Sequence, residues 1–228
     1  MDTIMNYFRS LDLSALELVL YRVLPAILCI TLHELAHGFA AYRLGDDTAK
    51  RLGRLTLNPI KHVDIFGLIM IMSVGFGWAK PVPVDMRNFK NQKRDMAITA
   101  LAGPLMNILI ACVALLALGL LAYPLRASSA AGEIILSLLY RTARLSTALA
   151  IFNLIPIPPL DGSKIVFSFL NEKNYLFLMK YERFGMLALM ALLFSGFLDK
   201  PLALAVSFVF EGLYKIAIVA FEIVIKLV

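Results

Sequence analysis

Polar positions are sparse along this chain, and their spacing divides it into long apolar stretches separated by shorter charged ones. Ser14 followed by Glu17 has the spacing of a capping box, so a first long helix is expected from near Ala15 to Leu44, where Gly45 supplies a stop. Pro25 is expected to bend it near its start. Met96–Leu125 carries no charge and is the clearest membrane crossing, with Pro104 read as tolerated in a first helical turn. A third crossing is expected from about Ser129 to Leu154. It ends at Ile155-Pro156-Ile157-Pro158-Pro159, whose prolines remove three backbone donors and forbid further helix. Gly185–Leu198 and Leu202 to about Leu227 supply a fourth and a fifth. The pattern predicts an all-α polytopic membrane protein with about five transmembrane helices.

Residues 46–95 interrupt this pattern. Ile65–Ala79 is charge-free but broken by Gly67, Gly75 and Gly77, and it falls short of the ~20 residues that a crossing needs. It reads as a re-entrant or extended loop after the first helix, with Val82-Pro83-Val84 as extended chain.

Composition supports the membrane assignment. The chain of 228 residues is 60% hydrophobic and 17% charged, with a mean hydropathy of +0.80, whereas a soluble domain is about half apolar and a quarter charged. Disorder is excluded on the same ground. Cys29 and Cys112 both lie in apolar stretches, so no disulfide framework is expected. Asp2, Arg9 and Asp12 argue against a cleavable signal peptide. The net charge of +6 fits basic loops on one side of a membrane better than nucleic-acid binding. Arg43, Lys50, Arg51, Arg54, Lys61, Lys80, Arg87, Lys90, Lys93 and Arg94 cluster after the first helix. By the positive-inside rule the N-terminus is expected outside the cell membrane and the C-terminus in the cytoplasm.

The chemistry begins at His33-Glu34-Leu35-Ala36-His37. Two histidines four apart on a helix project from one face and can close on one metal ion, and Glu34 follows the first by ~100° around the helix. Chance produces such a match about once in a thousand chains of this composition. Zinc suits the pattern: neutral imidazoles bind it, and an open position keeps a water of pKa ~7 whose proton a carboxylate can take. The bland alternative is a polar patch between helices, but three ionisable groups in an apolar helix are costly without a role.

A third ligand is required. His62 is one candidate; its alternative is a solvated loop residue. Asp161 is better placed, since it ends the charge-free run Leu145–Leu160 just after irregular backbone of a kind tolerated at membrane depth only around a site or cavity. Its alternative is an ordinary Asp-Gly turn.

These motifs, His33-Glu34-Leu35-Ala36-His37 together with Asn153-Leu154-Ile155-Pro156-Ile157-Pro158-Pro159-Leu160-Asp161-Gly162, resemble the site-2 protease family of intramembrane zinc metalloproteases. The second matches the family's N-x-x-P-x-P-x-x-D-G pattern at every fixed position. Ala102-Gly103-Pro104 with Asn107, and Gly77-Trp78-Ala79-Lys80-Pro81-Val82-Pro83-Val84, are similar to segments of short members that lack a PDZ domain. The resemblance implies one zinc ion held by His33, His37 and Asp161, Glu34 as general base, and transmembrane proteins as substrates. It places Asn153 where the family is proposed to hold substrate or the developing oxyanion; an interhelical hydrogen bond is the alternative. For Asn107 the structural role leads. Ile65 stands where relatives often carry proline.

The chain reads as a single membrane domain over 1–228, with a catalytic core over 15–170 and two C-terminal helices in 171–228. Rival functions are a metal-stabilised scaffold, which has no use for Glu34, and an ion transporter, which would place polar groups on several spans. In the last helix, Glu211, Lys215, Glu222 and Lys226 share one face within ~60°. That stripe fits either an interfacial, snorkelling helix or a polar seam through which the chain forms a homo-oligomer.

Overall fold

The computed structural model describes residues 19–67, 70, 79–126, 130–175 and 182–227. The Ser14–Glu17 capping box and Trp78 lie outside them. A short π-helical turn, Val19–Val23, leads into α1, Leu24–Arg43, with Pro25 in its first turn, where a missing N–H costs nothing. The chain then passes through α2 (Thr48–Arg51) and the 3-10 turns Pro59–Lys61 and Met86–Asn88. It continues into α3 (Gln92–Arg126), α4 (Ala130–Asn153), α5 (Asp161–Phe167), α6 (Glu182–Phe194) and α7 (Asp199–Leu227).

Among the described residues, four helices are long and apolar enough to cross a membrane: Val19–Arg43, Gln92–Leu125, Ala131–Asn153 and Asp199–Leu227. The expected fourth crossing, Gly185–Leu198, corresponds to a shorter apolar helix among the described residues. Its helix, α6, has 13 residues, or ~20 Å at the helical rise. Pro104 is not in a first turn either; it sits inside α3. A proline there removes one backbone bond and splays the preceding turn, and that turn faces the candidate site.

Helix α3 is the hub, packed against α1, α4, α5 and α7. Its contacts use small residues, as expected where lipid removes the hydrophobic drive and close backbone approach supplies dispersion instead. Ala111, Ala114 and Leu115 of α3 meet Ala143 of α4 and Ala217 of α7, and Gly119 lies against Ala217 and Ala220. No strand occurs among the described residues, but Val63 and Ala79 form an isolated antiparallel bridge and the Lys80 N–H donates to the His62 carbonyl at 2.9 Å. These contacts bring the two ends of the expected loop together; residues 68–69 and 71–78 between them lie outside the described residues. Residues 81–85 are non-helical, in keeping with Pro81 and Pro83.

Candidate metal centre

α1 brings His33 and His37 onto one face, one turn apart, with ring centroids 4.5 Å apart and planes at 88°. The break after α4 brings Asp161, the first residue of α5, to them. Gly162 permits this approach, because a Cβ there would meet the Leu154 carbonyl oxygen. Asp161 Oδ2 lies 3.2 Å from His33 Nε2 and 3.2 Å from His37 Nε2; the two Nε2 atoms are 2.9 Å apart. In a tetrahedral site with bonds of ~2.1 Å, donors lie roughly 3.4 Å apart. All three side chains are buried, and together they form a group able to hold a metal ion.

The donor chemistry fits a cation. His37 Nδ1 lies 2.7 Å from the Thr99 carbonyl oxygen, which can only accept, so Nδ1 carries the proton and Nε2 presents a lone pair. Asp161 Oδ2 is buried with no hydrogen-bond donor. Asn107 of α3 lies 3.1 Å from His33 Nδ1 through Nδ2, while its Oδ1 is buried without a partner. The two ends of a carboxamide have nearly the same shape. Turned over, Oδ1 accepts from His33 Nδ1–H, gains its partner and bares the second Nε2. Three lone-pair atoms then converge, an arrangement that repels unless a positive charge lies among them.

Glu34 is buried beside this group, and its Oε2 accepts from the Val82 N–H at 2.8 Å. Val82 lies between two prolines, so its N–H is the sole backbone donor of Pro81–Pro83. Arg54 steadies that segment, donating through Nη2 to the carbonyls of Lys80 (2.9 Å) and Pro81 (3.1 Å). Glu34, Pro81 and Val82 border a cavity of about 610 Å³ that Thr99, Asn107, Asn153, Pro159 and Lys164 also line, together with Met186, Leu189 and Met190 of α6.

Outside the crossings, Asp46 anchors the far end of the same segment. Buried after α1, its carboxylate accepts from the Thr48 N–H (3.1 Å) and hydroxyl, Asn88 Nδ2 (2.8 Å) and the Asp85 N–H (2.7 Å). Burial pushes its pKa up, but these donors outweigh burial and hold it below the ordinary 3.8. Asp85 is lowered to about 2, chiefly by the side-chain hydrogen bond from the Arg87 guanidinium.

Two sequence-based expectations change. His62 is not a solvated loop residue: it is fully buried, away from the metal-ligating group, with Nε2 donating to the Thr56 carbonyl at 2.8 Å. Asn153 closes α4 and lines the cavity, but its Nδ2 donates back to Leu149 of its own helix at 2.9 Å. Three contributors had no sequence signal, namely the Thr99 carbonyl, the Val82 N–H and the contact of Asn107 with His33.

The family model "Peptidase family M50" matches residues 21–196. The chain belongs to this family, the site-2 protease family, and is a zinc metalloprotease of the membrane. It is 44% identical over 152 residues to "Putative zinc metalloprotease YwhC" of Bacillus subtilis (strain 168), covering 66% of this chain and 69% of that protein. It is 30% identical over 178 residues to "Putative zinc metalloprotease Rip2" of Mycolicibacterium smegmatis, covering 76% of this chain and 66% of that protein. The Rip2 protein of Mycobacterium tuberculosis strain H37Rv is 29% identical over 177 residues, covering 76% and 66%. No solved structure matches the chain.

Proposed function

We propose that this protein is an intramembrane endopeptidase that hydrolyses peptide bonds of transmembrane protein substrates, with one zinc ion held by His33, His37 and Asp161 and with Glu34 as general base. The observation that carries this reading is the convergence of three buried lone-pair atoms within 3.2 Å of one another beside a second buried carboxylate, Glu34, in a cavity. When bound, zinc lowers the pKa of water and polarises a carbonyl. The chain's own residues do the rest. The Thr99 carbonyl and Asn107 hold both imidazoles in the tautomer that presents Nε2. The Val82 N–H occupies one oxygen of Glu34 and orients the carboxylate, leaving the other oxygen to take a proton and later return it to the leaving amine.

A transmembrane substrate hides its carbonyls in helical hydrogen bonds, so it must unwind to react. The non-helical segment Pro81–Val84, fixed by Arg54 at the Lys80 and Pro81 carbonyls and by Asp46 at its far end, borders the cavity and gives an extended substrate a strand to pair with; in this reading Gly75–Val84 flanks substrate entry. The proposed topology, with the N-terminus outside and the C-terminus in the cytoplasm, requires the short α6 to cross together with α1, α3, α4 and α7, because four crossings alone would leave both ends on one side. Asn153 would hold the substrate carbonyl only after its amide swings away from Leu149.

The test uses purified full-length protein and a model transmembrane substrate. Glu34→Gln is expected to retain zinc and lose cleavage, whereas His37→Ala loses both. Zinc-free wild type that cleaves, or Glu34→Gln that cleaves at the wild-type rate, refutes the reading. A scaffold would show no cleavage with zinc bound.

A further inference from the structure

Helix α7 is the most loosely held crossing: 17% of its apolar window is buried, against 39% for the first. Its inner face, with Ala217 and Ala220, is packed on the bundle. On the opposite face, Leu204, Phe208, Glu211, Lys215, Ile218 and Glu222 are all exposed. Their spacing alternates four and three residues, the 3.5-residue period by which two helices mesh along a seam. Glu211 and Lys215 lie ~18 and ~24 Å from the start of a helix of ~43 Å, near the middle of a hydrocarbon layer ~30 Å thick.

Charges at that depth normally face the bundle interior, a water-filled cavity or each other. Here they do none of these: Glu211, Lys215, Glu222 and Lys226 are exposed and make no ion pair among the described residues. Nor can α7 lie along the headgroups with its charged stripe in water, because the face it would sink into lipid is already packed on α3 and α4.

We propose that this stripe is a homodimer interface, two parallel copies of α7 meshing along it. The order Glu, Lys, Glu, Lys is complementary to itself. In two copies of the same membrane orientation, Glu211 meets its own counterpart in one layer and Lys215 meets its own one turn further on. Each Glu therefore has two Lys within a turn, one from each copy, that offset the like-charge contact; Glu222 and Lys226 repeat the arrangement. The two-fold axis repeats every pair. A partner of one charge sign would satisfy only half of the stripe. None of these residues borders the cavity, so the proposal stands or falls apart from the catalytic one.

The test is dimer fraction in liposomes of the full-length protein, by two-colour subunit counting. Wild type is expected to be dimeric. Glu211→Lys with Glu222→Lys should lower the dimer fraction at least tenfold at equal membrane content, and adding Lys215→Glu with Lys226→Glu should restore it. As a milder probe, Ile218→Cys should cross-link between copies and the exposed off-seam Ile223→Cys should not. A monomeric wild type, a dimer indifferent to the double reversal, or equal cross-linking at the two cysteines overturns the proposal.

Discussion

Replacing Gly103 by alanine attacks the metal centre without touching a ligand. Gly103 lies on α3 directly behind the two imidazoles. A Cβ there would lie 2.6 Å from His33 Cε1 and 2.5 Å from His37 Cε1, and would also crowd His37 Nε2. Ordinary contact begins at 3.4 Å, so the rings must retreat by ~0.8–0.9 Å, several times the ±0.2 Å that metal–ligand bonds tolerate. Retreat is resisted, because His37 is bonded to Thr99 on the same helix that carries the new methyl. Overpacking of this kind costs about 1–3 kcal/mol, and displacing a ligand should exceed the 10–100-fold loss typical of outer-shell changes. The expected result is a zinc Kd at least ~100-fold weaker, with the helical content intact. Zinc titration against a competing chelator measures it, with thermal unfolding alongside. Gly212→Ala is the control, since its Cβ would meet nothing within 4 Å, and it should bind zinc like wild type. Zinc binding by Gly103→Ala within twofold of wild type would refute the packing described here.

Asn107→Leu should weaken zinc binding by about 10–100-fold, while Asn107→Asp, which can still accept from His33 Nδ1–H, should stay within a fewfold of wild type in the same titration. Arg54→Ala frees the Lys80 and Pro81 carbonyls. It should lower cleavage of a transmembrane substrate by roughly tenfold while zinc content, read by elemental analysis, stays at wild type. Asp46→Asn should cost roughly 1–3 kcal/mol of stability at neutral pH by leaving buried donors short of an acceptor. The Asp46 carboxyl titrates below 3.8 in the folded protein. Its contribution is therefore complete above that value and drains as pH falls further. Unfolding of wild type and Asp46→Asn should converge in acid.

The grouping of His33, His37 and Asp161 was legible because it rests on local rules. His33 and His37 share a face by helical geometry, and Asp161 follows a run of prolines that forbids helix. What surrounds them was not legible. The Thr99 carbonyl and the Val82 N–H are backbone groups and carry no residue signature, and their roles depend on how α3 and the 81–85 segment pack on α1. Asn107 was visible as a polar residue in a crossing, but its partner could not be read before the helices were paired. Pro104 misled because a proline suggests an end, whereas packing on α1, α4, α5 and α7 carries α3 through it. His62 misled because loop sequence suggests exposure, yet hydrogen bonds from its side chain to Thr56 and from Lys80 to its carbonyl bury it.

The central claim is that two imidazoles of α1 and the carboxylate after the α4 break share one zinc ion. X-ray absorption at the zinc edge of the purified protein tests this directly. The account predicts nitrogen and oxygen neighbours at about 2.0–2.1 Å with outer-shell scattering from two imidazoles, falling to one or to no bound zinc in His37→Ala. A sulfur neighbour at about 2.3 Å, or a two-imidazole signal unchanged in His37→Ala, would contradict it.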